Sequence, residues 1–229
     1  SIESSATPIY WATGNLIATK TGEESSQTPT TTVAFHIATA EETAVEGTVD
    51  SPYVAPTGII ESATNGYSAC SIGTKWNVFG WGDASGLMTS KADADYVFTV
   101  TSSNISGTEH DICHVQLGGN WRLPVYKKEL KNITAMLNLE NSWFSNSGNS
   151  GRKCSYTLPG TSVTNTLVFP AAGYRRGAKA EKNGIRGCYW SGSILSGEYF
   201  CFLEVVEKEA ADLIDFERFW GFTIRPVSE

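Results

Sequence analysis

GIRGCYWSGSILSGEYFCFLEVVEKEAADLIDFERFWGFTIRP, residues 184–226, is the stretch whose reading decides the fold. Two aromatic runs, 187–191 and 199–206, are joined by a Ser/Gly loop, and a third run at 222–227 closes the chain. That is the pattern of strands punctuated by turns. Within 199–206 side chains alternate between faces: Tyr199, Cys201, Leu203 and Val205 go one way, Phe200, Phe202, Glu204 and Val206 the other. With the first set inward, Phe200, Phe202 and Glu204 are expected to face outward. The short connection after Val206 is expected to bring Asp215, Glu217, Phe219 and Trp220 beside them, with Arg176, Ile185 and Arg186 as the rim of one patch.

Composition agrees with a strand-rich reading. Only 18% of the 229 residues are charged, and 22 are glycine, a balance that suits turns and strands more than helices. The net charge of -7 provides no basic footprint, which argues against nucleic acid and against an anionic membrane as partners. No apolar run approaches the roughly 20 residues that span a bilayer, and residues 1–7 are polar, so neither an anchor nor a signal peptide is expected. A mature secreted chain would read the same way. The five cysteines, Cys70, Cys113, Cys154, Cys188 and Cys201, show no metal-binding spacing and are read as mainly buried thiols with room for one pair.

Upstream, PIYWATGNLIATK at 8–20 suggests a strand or hairpin about Gly14-Asn15, paired with the C-terminal strand. A polar tip at 23–32 leads to a strand at 33–38, and 39–69 reads as a surface excursion. WNVFGWGDASG at 76–86 fits backbone passing closely against core aromatics, and 96–100 reads as a short strand. Residues 109–117 look helical until Gly118-Gly119, with His110 and His114 on a solvated face. The principal helix is expected at 125–139, with Leu130, Ile133, Met136 and Leu137 at helical spacing. Residues 141–151 read as a polar loop, 154–158 and 162–170 as a hairpin about Pro159-Gly160, and 171–183 as a basic loop.

GWGDASG, GGNWRLP followed by a helix, FPAAGYR, CYWSGS and GFTIRPVSE stand in an order that resembles the C-type-lectin-like domains of fimbrillin-type surface proteins of gut Bacteroidetes, the Fibrobacter major paralogous domain. The resemblance covers nearly the whole chain. It implies a single α+β domain over residues 1–229: a loop-rich C-type-lectin-like fold of small antiparallel sheets with one principal helix. Its N- and C-terminal strands would pair, and a ligand surface would lie within 174–226. It also implies structural roles for Trp121, Arg122, Tyr174, Trp190, Phe222 and Arg225. The Glu-Pro-Asn, Gln-Pro-Asp and Trp-Asn-Asp signatures of calcium-dependent sugar binding do not occur, so no metal or other cofactor is expected.

The function implied is a non-catalytic binding or adhesion module on the outer cell surface. It would recognise a protein or glycan ligand, beside other domains of a fimbrial or lipoprotein assembly, without inserting into the membrane. Two alternatives share the fold. One is a retroelement-diversified variable protein, with Cys188, Ile194, Leu195, Phe200, Phe202, Glu217, Phe219 and Trp220 as solvent-facing varied positions. The other is a formylglycine-generating-type copper oxidase, for which Cys188 and Cys201, on strands expected to be antiparallel neighbours, would be the thiol pair.

Overall fold

The structure, a computed structural model, describes residues 9–22, 31–39, 72–87, 103–140, 143–146, 149–157, 160–176, 179–196, 199–218 and 220–229. The excursion at 39–69, the strand expected at 96–100, Cys70 and Phe219 lie wholly or mostly outside them.

In chain order the elements are β1 (Tyr10–Trp11), β2 (Leu16–Gly22), β3 (Thr31–Ile37), β4 (Lys75–Trp76), β5 (Val78–Phe79), α1 (Ile112–Leu117) and β6 (Trp121–Arg122). A π-helical turn over Tyr126–Leu130 runs directly into α2 (Lys131–Glu140). There follow β7 (Trp143–Asn146), β8 (Asn149–Thr157), β9 (Thr164–Pro170), β10 (Ala172–Arg176), β11 (Lys179–Asn183), β12 (Arg186–Ser196), β13 (Tyr199–Val206), β14 (Asp212–Glu217), β15 (Phe222–Thr223) and β16 (Val227–Ser228). The fold is sheet-rich with few helices, and its sheets are small and mainly antiparallel.

The principal sheet has the order β11-β10-β12-β13-β14, with β15 joined to β12 and β5 joined to β15. Most pairings are antiparallel, but β10 and β15 each run parallel to β12, so this sheet is mixed. Three smaller sheets, β1-β16-β6, β3-β2-β4 and β7-β8-β9, surround it. The chain ends meet as the sequence suggests: Tyr10 pairs with Ser228 and Trp11 with Val227. The expected closing strand is broken, however. Between β15 and β16 the chain leaves the ladder so that Arg225, fully buried, can turn inward. There its Nε donates to Asn15 Oδ1 at 2.8 Å, and its two Nη groups donate to the carbonyls of Ala12, Thr13 and Val168. Burial lowers its pKa to about 10. This one guanidinium satisfies carbonyls that the irregular backbone would otherwise leave orphaned.

The principal sheet has a core layer on each face. Leu130, Ile133 and Leu137, spaced to share one side of the helix, pack with Tyr189, Leu203 and Val205 on the first face. Trp76, Phe79, Trp81 and Phe222 pack with Trp190, Phe200 and Phe202 on the second. The W-x-x-x-x-W segment therefore does insert its aromatics into the core. Asp111, fully buried and acting as N-cap of α1, accepts from the N–H groups of Cys113, His114, Gly107 and Leu123 and so anchors the GGNWRLP segment. His114 lies exposed on α1, as the solvated reading has it. Arg122 bridges Glu129 at 2.9 Å and Glu229 at 2.7 Å.

Three local readings need correction. Residues 9–20 do not form a hairpin, because β1 joins the terminal sheet while β2 pairs with β3 and β4. The loops expected at 141–151 and 171–183 both contain hairpins. Trp143 pairs with Arg152 in the first, and Tyr174 with Glu181 in the second. In each, neighbouring strands supply hydrogen-bond partners to a polar sequence that has little strand propensity of its own.

Candidate functional site

The alternation expected along β13 is present, but its consequence differs. Phe200 and Phe202 are each only 3% exposed, so the aromatic face of β13 is covered, and their expected outward position is corrected. Trp81 stacks on Phe200 with ring centroids 4.1 Å apart, and its indole N–H donates to the Ser191 carbonyl at 2.7 Å. The 76–86 segment thus covers one end of this face. Toward the other end of the strands, around Glu204, the cover stops.

What remains there is a trough of about 250 Å³ that crosses four strands. Tyr174 enters from β10, Arg186 and Cys188 from β12, Phe202 and Glu204 from β13, and Ile214 and Phe216 from β14, while Trp220 and Phe222 complete the wall. Register explains the membership. Cys188 lies opposite Glu204, Trp190 opposite Phe202, and Phe202 opposite Ile214, so these side chains share one face. The aromatic wall is continuous: Trp220 sits 4.2 Å from Phe216 and 5.3 Å from Tyr174 between ring centroids, and Phe202 sits 4.5 Å from Phe222. Arg176 lies over the Trp220 ring at 5.1 Å, a cation–π contact on its outer side.

The polar end is an ion pair, Arg186 Nη1 to Glu204 Oε1 at 3.0 Å. Burial pushes the Glu204 carboxyl above its ordinary range; Arg186 opposes this, and Glu209 and Asp212 add to it. The Tyr174 hydroxyl donates to Glu181 Oε2 at 3.2 Å, and burial together with that carboxylate raises its pKa. The Cys188 thiol on the floor is pushed well above its ordinary value by burial and by Glu204, which keeps it protonated and a poor nucleophile at neutral pH.

Of the expected site residues, the trough therefore gathers Phe202, Glu204, Trp220 and Arg186, with Arg176 over its wall. Phe200 belongs to the core beneath Trp81. Asp215 and Glu217 pair with Cys201 and Tyr199, which puts them on the opposite face and corrects the single-patch expectation. Ile185, 55% exposed, sits on the turn before β12 and is not among the described lining residues. Tyr174 and Phe222, expected to be scaffold only, line the trough, as do Cys188, Ile214 and Phe216. For Cys188, Ile214 and Phe216 the signal was β12/β13/β14 register, which places residues of one parity on one face; Tyr174 and Phe222 arrive from β10 and β15.

The same register separates the two thiols proposed as a copper pair. Cys188 faces the trough beside Phe202, whereas Cys201 shares the other face with Leu203 and Asp215. They are not brought together, so the copper-oxidase alternative loses its geometric basis. Three positions suggested as solvent-facing and variable, Cys188, Phe200 and Phe202, are buried. Among the described residues no helix is long and apolar enough to cross a membrane. Compared with models of known families, with curated proteins and with solved structures, the chain matches none.

Proposed function

We propose that this domain is a non-catalytic binding or adhesion module of the bacterial outer surface, and that the trough across β10, β12, β13 and β14 is where it holds a protein or glycan ligand. One observation carries the reading: an aromatic-walled concavity with a charged end occupies the part of the sheet face that the core leaves uncovered. Aromatic planes beside a carboxylate and a guanidinium stack on apolar ring faces or side chains while hydrogen-bonding their polar groups. At about 250 Å³ the trough falls below the roughly 300 Å³ at which pockets begin to enclose drug-sized molecules. It suits one residue or one sugar ring of a longer ligand. The protonated Cys188 thiol favours binding over covalent chemistry at this place. The surface location rests on the sequence resemblance.

The test is a screen of the domain against glycan and peptide arrays, repeated with Trp220→Ala. Ligands retained by the native chain and lost by the variant support the reading. Retention by both places binding elsewhere and contradicts it.

A further inference from the structure

Resting on the trough as the binding site, we propose that its ligand is a basic protein segment that adds as a strand to the free edge of β14, seating apolar side chains over the trough. Among the described residues β14 ends the strand order of the principal sheet, with β13 on one side and no strand on the other. An edge strand presents a row of backbone N–H and C=O groups that a further strand can satisfy. The trough reaches this edge, since Ile214 and Phe216 of β14 both line it.

Alternation then dictates the ligand pattern. Every second side chain of an added strand would stand beside Ile214 and Phe216 on the trough face, within the about 5 Å that separates cross-strand neighbours. The intervening side chains would stand on the opposite face, beside Asp215 and Glu217. Between Glu204 and Arg218 the chain carries six carboxylates, Glu204, Glu207, Glu209, Asp212, Asp215 and Glu217, against Lys208 and Arg218 alone. A second copy of β14 would bring like charge to like charge, which disfavours self-pairing. A segment alternating apolar and basic residues complements both faces of the edge at once.

The experiment measures binding of the intact chain to four peptides by calorimetry: alternating leucine and lysine, the same residues in two blocks, and the alternating peptide N-methylated on every second amide in each of the two frames. The expected result is that the alternating peptide binds and weakens with added salt, while the block isomer binds at least about tenfold less tightly. One methylation frame should abolish binding and the other leave it largely intact, since only every second amide of an added strand points at β14. Asp215→Asn with Glu217→Gln should weaken the alternating peptide several-fold. Equal binding of the block isomer, or of both methylation frames, overturns strand addition while leaving the trough as a side-chain site. Trp220-dependent glycan binding with no peptide binding also overturns strand addition alone. Binding of neither class overturns the trough reading as well.

Discussion

Arg186 and Glu204 are diagonal neighbours across the β12–β13 pair, 3.0 Å apart at the open end of the trough, yet burial still holds the Glu204 carboxyl above its ordinary pKa. A carboxyl whose folded pKa is raised contributes stability that is full below its unfolded value and is lost as pH rises through the folded one. Relative to the native chain, Glu204→Gln should therefore gain melting temperature as pH climbs from the ordinary carboxylate range toward neutrality, and gain nothing in strong acid. Arg186→Ala should raise the Glu204 pKa further and shift the native transition to higher pH. Thermal melts across pH, for all three proteins, check both signs.

Phe202 and Trp220 should respond differently to truncation although both line the trough. Phe202 is packed between Trp190 and Phe222 in the core, so Phe202→Ala should cost about 3–5 kcal/mol of stability. Trp220 is only half buried, and Trp220→Ala should cost less stability but about 2 kcal/mol or more of binding. Denaturant unfolding beside a binding titration separates the two. Comparable stability losses would mean that Trp220 is core as well.

Arg225 ties the N-terminal segment to the rest of the molecule, so Arg225→Leu should cost about 3 kcal/mol or more, the penalty for leaving Asn15 and several buried carbonyls without their donor. Removing the residues before Gly14 should destabilise the fold for a related reason, because β16 would lose β1. An unchanged melting temperature in either variant would contradict the closure of the fold by its own ends.

Much of this arrangement was legible in the sequence, and the parts that were not share one physical cause. The alternation in YFCFLEVV, the helix through Leu130, Ile133 and Leu137, the hairpin ending at Pro170 and the meeting of the chain ends all follow from local periodicity and turn chemistry. Which face of β13 is covered does not, because its cover arrives from Trp81, more than a hundred residues earlier in the chain. The strand DLIDFE reads as an acidic linker until β13 gives it a partner. Register then sends Ile214 and Phe216 to the trough and Asp215 and Glu217 away from it. AAGYRRG reads as a loop, yet Gly173, at φ 72°, sits where a Cβ would strike the Glu181 carbonyl of β11, and the same residue pairs with Gly187 of β12, which carries Tyr174 into the wall.

The thiols give a check independent of any ligand. Cys113, Cys154, Cys188 and Cys201 are all buried, and burial raises the pKa of Cys113 and Cys188 well above the ordinary value and that of Cys201 to about 12. Alkylation of the native protein followed by peptide mapping should leave these four unmodified, and all should react after unfolding. Fast native labelling of Cys188 would show the floor of the trough to be open and reactive.

The most direct measurement of the central claim is a titration of the methyl-labelled native domain with soluble oligosaccharides and leucine–lysine peptides, followed by NMR. Ile214 lies in the trough, Ile185 on an exposed turn outside its described lining, and Ile133 in the opposite core layer. The account expects the Ile214 methyl resonances to move with a bound ligand while those of Ile185 and Ile133 stay in place. Saturable binding that shifts Ile185 and leaves Ile214 unmoved would contradict it.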